Sequence, residues 1–167
     1  MELTRGRPED IEELGPLWLQ LFRHHREVAT GTGRPFTDEE RSWPHRAALY
    51  REWLAQPPSF VLIARDQAGA AGGYAMVRVR EPDDEVLDTW QADELIAELE
   101  TFVVAEGARG QGLGTALLDG VEQELRRLGV RDLGVGVLAG NDRARQLYES
   151  RGFKPEMLHL AMRLGDA

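Results

Sequence analysis

The sequence contains no cysteine. That one absence excludes a disulfide framework, a thiolate metal site and a cysteine nucleophile. Lysine is nearly absent too: of 20 basic side chains, all but Lys154 are arginine. A Schiff-base enzyme would have to rely on that single residue. No Walker-type lysine follows the glycine-rich turn near residue 110, where Thr115 stands instead. No apolar run approaches the roughly 18 residues of a membrane span. The opening stretch, MELTRGRPEDIEEL, is acidic and polar and lacks the apolar core of a secretory leader, so a cytoplasmic location is expected. His24, His25, His45 and His159 never fall at ligand spacing, and no metal is expected. A Gly-x-Ser-x-Gly elbow is also missing.

What remains is an ordinary globular composition, 42% apolar and 29% charged over 167 residues, expected to form one domain over residues 1–167. The net charge of -9 disfavours a nucleic-acid partner. Its distribution is uneven: residues 109–154 carry a balance of +2 and the remainder -11. An anionic ligand on the first part and a cationic one near the second would suit that division.

Glu2–Arg7 reads as a short first strand. A helix is expected over Pro8–Val28, with Ile11, Leu14, Leu17, Trp18, Leu21 and Phe22 at helical spacing. Ala29–Ser42 reads as a loop, Pro44–Ala55 as a second helix stopped by Pro57-Pro58. Phe60–Arg65 and Ala71–Arg80 form an expected hairpin, Glu81–Gln91 an acidic loop, and Asp93–Val104 the central strand. Thr115–Leu128 is helical with one apolar stripe. Arg131–Leu138 reads as a strand whose Gly134 and Gly136 leave one face bare. A helix capped by Asn141 or Asp142 runs to about Ser150, and Phe153–Leu164 is expected to close the sheet.

The most informative stretch is Leu99–Thr115, a strand running through a glycine-rich turn into a helix. Unpaired N–H groups and the positive dipole end at such a helix start suit a phosphate or pyrophosphate. Arg109-Gly110-Gln111-Gly112-Leu113-Gly114 resembles the Gln/Arg-x-x-Gly-x-Gly/Ala turn of the GCN5-related N-acetyltransferases, the GNAT family. Asn141-Asp142-Arg143-Ala144, continuing to Leu147-Tyr148 and Gly152-Phe153, resembles that family's second element at the expected distance. The resemblance implies a GNAT fold: a mostly antiparallel twisted α/β sheet of six to seven strands, flanked by about four helices and splayed between two central parallel strands. It also implies acetyl-CoA as cosubstrate and an amine as acceptor, with a small molecule preferred over a protein lysine or N-terminus.

On this reading the pyrophosphate meets Arg109, Gly110, Gln111, Gly112, Leu113, Gly114 and Thr115. The pantetheine arm pairs with the strand edge at Phe102, Val103 and Val104, and Asn141, Arg143 and Ala144 border it. Acyl transfer to an amine needs a base for the ammonium and an acid for the departing thiolate. Glu98, eleven residues before Arg109, is the first candidate for the base and Glu100 the second. Tyr148 is the candidate acid. Trp43 and Trp90 border loops and are candidate walls of an acceptor pocket, and an open edge at the last strand is compatible with a homodimer. Two rivals stand beside this reading. One is a dinucleotide-binding oxidoreductase, with Asp132 as its ribose acid; the other is a non-catalytic CoA-binding sensor.

Overall fold

A computed structural model describes residues 2–29, 31 and 34–164. Among them, five strands form one sheet in the order β1-β2-β3-β4-β5: β1 Glu2–Gly6, β2 Phe60–Arg65, β3 Ala71–Arg80, β4 Ile96–Val104 and β5 Asp132–Gly134. The first four are antiparallel neighbours; only β4 and β5 run parallel. That is not the all-parallel sheet of a doubly wound dinucleotide domain. The helices are α1 Gly15–Val28, α2 Glu39–Leu54, the single turn α3 Asp84–Leu87, α4 Leu113–Leu128 and α5 Asp142–Ser150. None is long and apolar enough to cross a membrane, among the described residues.

Each face of the sheet has its own core. Alternation in β2 sends Phe60, Leu62 and Ala64 toward α4 and α5, and Val61 and Ile63 toward α1 and α2. On the first face Leu117, Val121 and Leu125 of α4 fill the layer; on the second Ile11, Leu14, Leu17, Ala47, Tyr50 and Trp53 do so. In β4 the alternation breaks. Ala97 and Leu99 join the α4 core, whereas Thr101 and Val103 turn to the other side. The cause is a bulge: Val77 pairs with Leu99 and Met76 with Thr101, so Glu100 is the extra residue.

Several expected boundaries move. Pro8–Val28 is two elements, a 3-10 segment over Pro8–Leu14 followed by α1. The second helix begins at Glu39, with Pro44 inside its first turns. That shortens the expected Ala29–Ser42 loop, of which Thr30, Thr32 and Gly33 lie outside the described residues. The central strand starts at Ile96, and α4 starts at Leu113 because Gly112 is its N-cap. Arg131–Leu138 contributes only three paired residues, since β5 leaves β4 after Gly134.

Six to seven strands were expected and five are present among the described residues. The difference lies in Phe153–Leu164, which pairs with no strand there. Its apolar residues Met157, Leu158, Leu160, Met162 and Leu164 are all exposed. Beyond Gly134, β5 offers that segment no continuing partner.

Candidate active site

The bulge and the departure of β5 together build the site. β4 and β5 share only three pairs, the last being Glu98 with Gly134. A Cβ at Gly134 would stand 2.6 Å from Glu98 Oε2, so the bare residue makes room for the carboxylate. Beyond that pair no strand among the described residues lies beside the far edge of β4. The bond from Ala105 N–H to the Gly72 carbonyl, 2.9 Å, sets the phase of the β3–β4 ladder. By alternation, Val103 directs its backbone groups at Tyr74 of β3, while Phe102 and Val104 direct theirs to the open edge. Of the three edge residues expected, two therefore present backbone groups there. The Val103 side chain is buried in the α1–α2 core.

A residue outside the expected set secures this edge. Gln20 of α1 donates from Nε2 to the Val104 carbonyl at 3.1 Å and accepts from Glu106 N–H at 3.0 Å. An isolated glutamine in an amphipathic helix gives no sequence signal for that role.

The turn into α4 has an anion-binding shape. Gly110 and Gly112 are left-handed, with φ of 76° and 79°, and a Cβ on either would meet nothing within 4 Å. Gly112 caps α4 with no side-chain bond to the helix. The N–H groups of Leu113, Gly114 and Thr115 therefore start the helix uncapped. Ala116 N–H closes the first intrahelical bond, to the Gly112 carbonyl. Gly114 has a different use, since a Cβ there would touch Phe102 at 3.4 Å. Arg109 lies 3.9 Å from Glu106, and Gln111 donates to the Gly107 carbonyl at 3.1 Å.

The second motif forms α5. Asn141 is buried, and its side chain accepts from Ala144 N–H at 3.2 Å, so the cap is made by Asn141 rather than Asp142. Arg143 is exposed in the first turn. Tyr148 is buried against Phe102 and Phe153, with ring centroids 6.3 and 5.4 Å apart. Burial pushes its hydroxyl up to about 12.

Glu98 and Glu100 both lie on the α1–α2 side, the first by alternation from Ala97 and Leu99, the second at the bulge beside Arg78. Burial raises both carboxyls above the ordinary value. The charge of Glu100 raises Glu98 further, against the pull of Arg80. Arg78, Arg46 and Arg80 hold Glu100 down in part. Tyr148 packs in the core on the opposite face. Glu98 and Tyr148 thus stand on opposite faces of the sheet.

The two candidate pocket tryptophans have different surroundings. Trp43 packs on Gly15 and Tyr50 and donates to Glu12. Trp90 is exposed and lines a shallow cavity of about 770 Å³ with Asp93, Arg131 and Asp132. Trp18 packs against Arg46 and Trp53 against Arg78. No group of metal-ligating side chains occurs among the described residues.

Comparison with known proteins gives the same fold. The model of the acetyltransferase (GNAT) family matches residues 18–153. A mycothiol acetyltransferase of Propionibacterium freudenreichii is 27% identical over 153 residues, covering 92% of this chain and 43% of that protein. An aminoglycoside 2'-N-acetyltransferase of Mycolicibacterium fortuitum is 49% identical over 57 residues, 34% of this chain and 27% of that one. The chain thus spans less than half the length of these curated relatives. Among solved structures, a mutant of the BH1408 protein from Bacillus halodurans superposes with a TM-score of 0.74 at 21% identity. The match covers 98% of this chain and 99% of that one.

Proposed function

Because this chain belongs to the GNAT acetyltransferase family, we propose that it transfers the acetyl group of acetyl-CoA to the primary amine of a small molecule. The observation that carries this reading is the uncapped start of α4, opened by two left-handed glycines and set beside the free edge of β4. Leu113, Gly114 and Thr115 offer main-chain N–H groups to a pyrophosphate, with Arg109 nearby. Phe102 and Val104 offer strand-edge groups to the amides of the pantetheine arm. Asn141, Arg143 and Ala144 flank the arm from the start of α5. Acetyl-CoA supplies an activated thioester, so the protein needs no covalent intermediate. Its task is to hold two reactants together and move two protons.

Glu98 takes the proton of the acceptor ammonium, directly or through a water, which frees the nitrogen lone pair to attack the acetyl carbonyl. As the new C–N bond forms and the C–S bond breaks, the Tyr148 hydroxyl gives its proton to the sulfur, and the second proton shed by the nitrogen restores the phenol. Glu98 suits the base because it makes no ion pair among the described residues, whereas Glu100 lies 4.0 Å from Arg78. The names of the two relatives, one acting on mycothiol and one on an aminoglycoside, support a small-molecule acceptor.

Release of free CoA thiol tests the reading, and the cysteine-free chain gives no background in a thiol assay. The panel comprises aminoglycosides, amino-sugars, polyamines, amino acids and a lysine peptide. Turnover of a small amine is expected. Turnover of the peptide alone would reassign the acceptor to a protein. Tight acetyl-CoA binding without any turnover would make the chain a sensor.

A further inference from the structure

Around Glu100 the local charge opposes the acidity of the whole chain. Arg46 sits on α2 one turn before Tyr50 and two before Trp53, so its stem lies along the face these rings occupy. Its guanidinium carbon stands 4.3 Å from the ring centroid of Trp18, 5.8 Å from Tyr50 and 5.9 Å from Trp53. Arg78 reaches the same indole from β3, 5.8 Å from the Trp53 centroid. Two cations are therefore fixed on one aromatic platform.

Stacking uses the faces of a guanidinium and leaves its in-plane N–H groups for an acceptor. Here those donors are largely free. Arg46 makes no ion pair among the described residues. Arg78 approaches Glu100 only to 4.0 Å, too far for a hydrogen bond, and its buried Nε has no partner among the described residues. Such an unsatisfied donor is costly unless something else meets it. Arg80, the third arginine nearby, is turned aside to Asp83 at 3.0 Å. Glu100 and Arg78 both keep some exposure, so a ligand can reach them.

We propose that Arg46 and Arg78 receive a carboxylate on the acceptor, so that the substrate is an amine that also carries a carboxylate, as an amino acid does. This rests on the reading that Glu98 or Glu100 takes the acceptor's proton. A zwitterion matches both halves of the site: its ammonium faces the glutamates and its carboxylate the two guanidinium forks. A free amine with no anion leaves the arginine donors unmet. A dianion adds charge beside Glu100.

Three measurements test it. The first compares kcat/KM for three amines differing only in one group: an amino acid, its amide, and its phosphonate. The carboxylate member is expected to lead its amide by on the order of tenfold to a hundredfold, through KM. In Arg46→Gln that lead is expected to shrink, with acetyl-CoA affinity unchanged. Equal rates for acid and amide, or a lead that survives in Arg46→Gln, would overturn the proposal, and so would preference for the phosphonate. The second titrates an N-acetyl amino acid against tryptophan fluorescence, with its amide as control. A saturable change with the acid alone supports the site whether or not turnover is seen; equal responses sink it. The third is acetyl-CoA binding itself. Its failure, with the carboxylate response intact, would remove the acetyltransferase reading and leave the carboxylate site standing.

Discussion

Glu98, Tyr148 and Gly112 carry the sharpest tests at the scale of single residues. Removing a positioned base costs on the order of a hundredfold to ten-thousandfold in rate. Glu98→Gln is accordingly expected to lower kcat within that range and to leave acetyl-CoA KM nearly unchanged. Tyr148→Phe removes only the hydroxyl and keeps the ring that packs on Phe102 and Phe153. Its effect should appear in kcat, with thermal stability retained. The pH dependence separates the two glutamates. Burial and then the charge of Glu100 raise the Glu98 carboxyl, so as the proposed base it gains its carboxylate form at a higher pH than an unperturbed glutamate. Rate should rise with pH through that raised value. In Glu100→Gln the neighbouring charge is gone and the rising limb should move to lower pH. If the limb disappears in that variant, Glu100 is the base. Gly112→Ala tests the turn. A left-handed alanine costs roughly 1–2 kcal/mol, and its Cβ meets no protein atom. Loss of acetyl-CoA affinity beyond that cost, read by calorimetry, would mark the open space as the ligand's.

How much each element disclosed in advance depended on whether its chemistry was local. The turn at Arg109–Gly114 and the cap at Asn141 were legible because left-handed glycines and a short polar cap are requirements of the backbone, met within a few residues. The apolar stripes of α1 and α4 followed from periodicity, and the hairpin from its flanking runs. The bulge at Glu100 was not legible, because it is defined by the partner strand rather than by β4 itself. Arg46 and Arg78 carry no local signal; only the packing of α2 over β3 puts them on one indole. The Phe153–Leu164 run has the pattern of a strand, but a strand also needs an edge to join. Gln20 belongs with these non-local features. Its two bonds tie α1 to the end of β4. Gln20→Leu is expected to destabilise the fold by about 1–3 kcal/mol. It should also weaken acetyl-CoA binding by loosening the edge at Phe102 and Val104. A denaturant titration and a calorimetric one, run on the same variant, check both parts.

For the whole molecule, the proposed ligand would touch α1, α4, α5 and β4 at one place. On the proposed reading the pyrophosphate would meet α4 and the pantetheine arm the edge of β4; the Asn141 cap starts α5, and α1 reaches the same edge through Gln20. A cosubstrate touching all of these should stabilise the folded chain as a unit. At a concentration 100 times its Kd, a ligand bound only by the native state adds about 2.7 kcal/mol. For a chain of this length each kcal/mol moves the midpoint by roughly 2–4 °C. Acetyl-CoA is therefore expected to raise the melting temperature by several degrees in a thermal-shift assay. NAD should not, because a mostly antiparallel sheet lacks the crevice of a dinucleotide domain. Pantetheine without the nucleotide separates the two halves of the grip. If it gives most of the shift, the β4 edge dominates; if it gives little, the start of α4 does. A shift with NAD equal to that with acetyl-CoA would mean that the turn binds any pyrophosphate and that the β4 edge adds no selectivity.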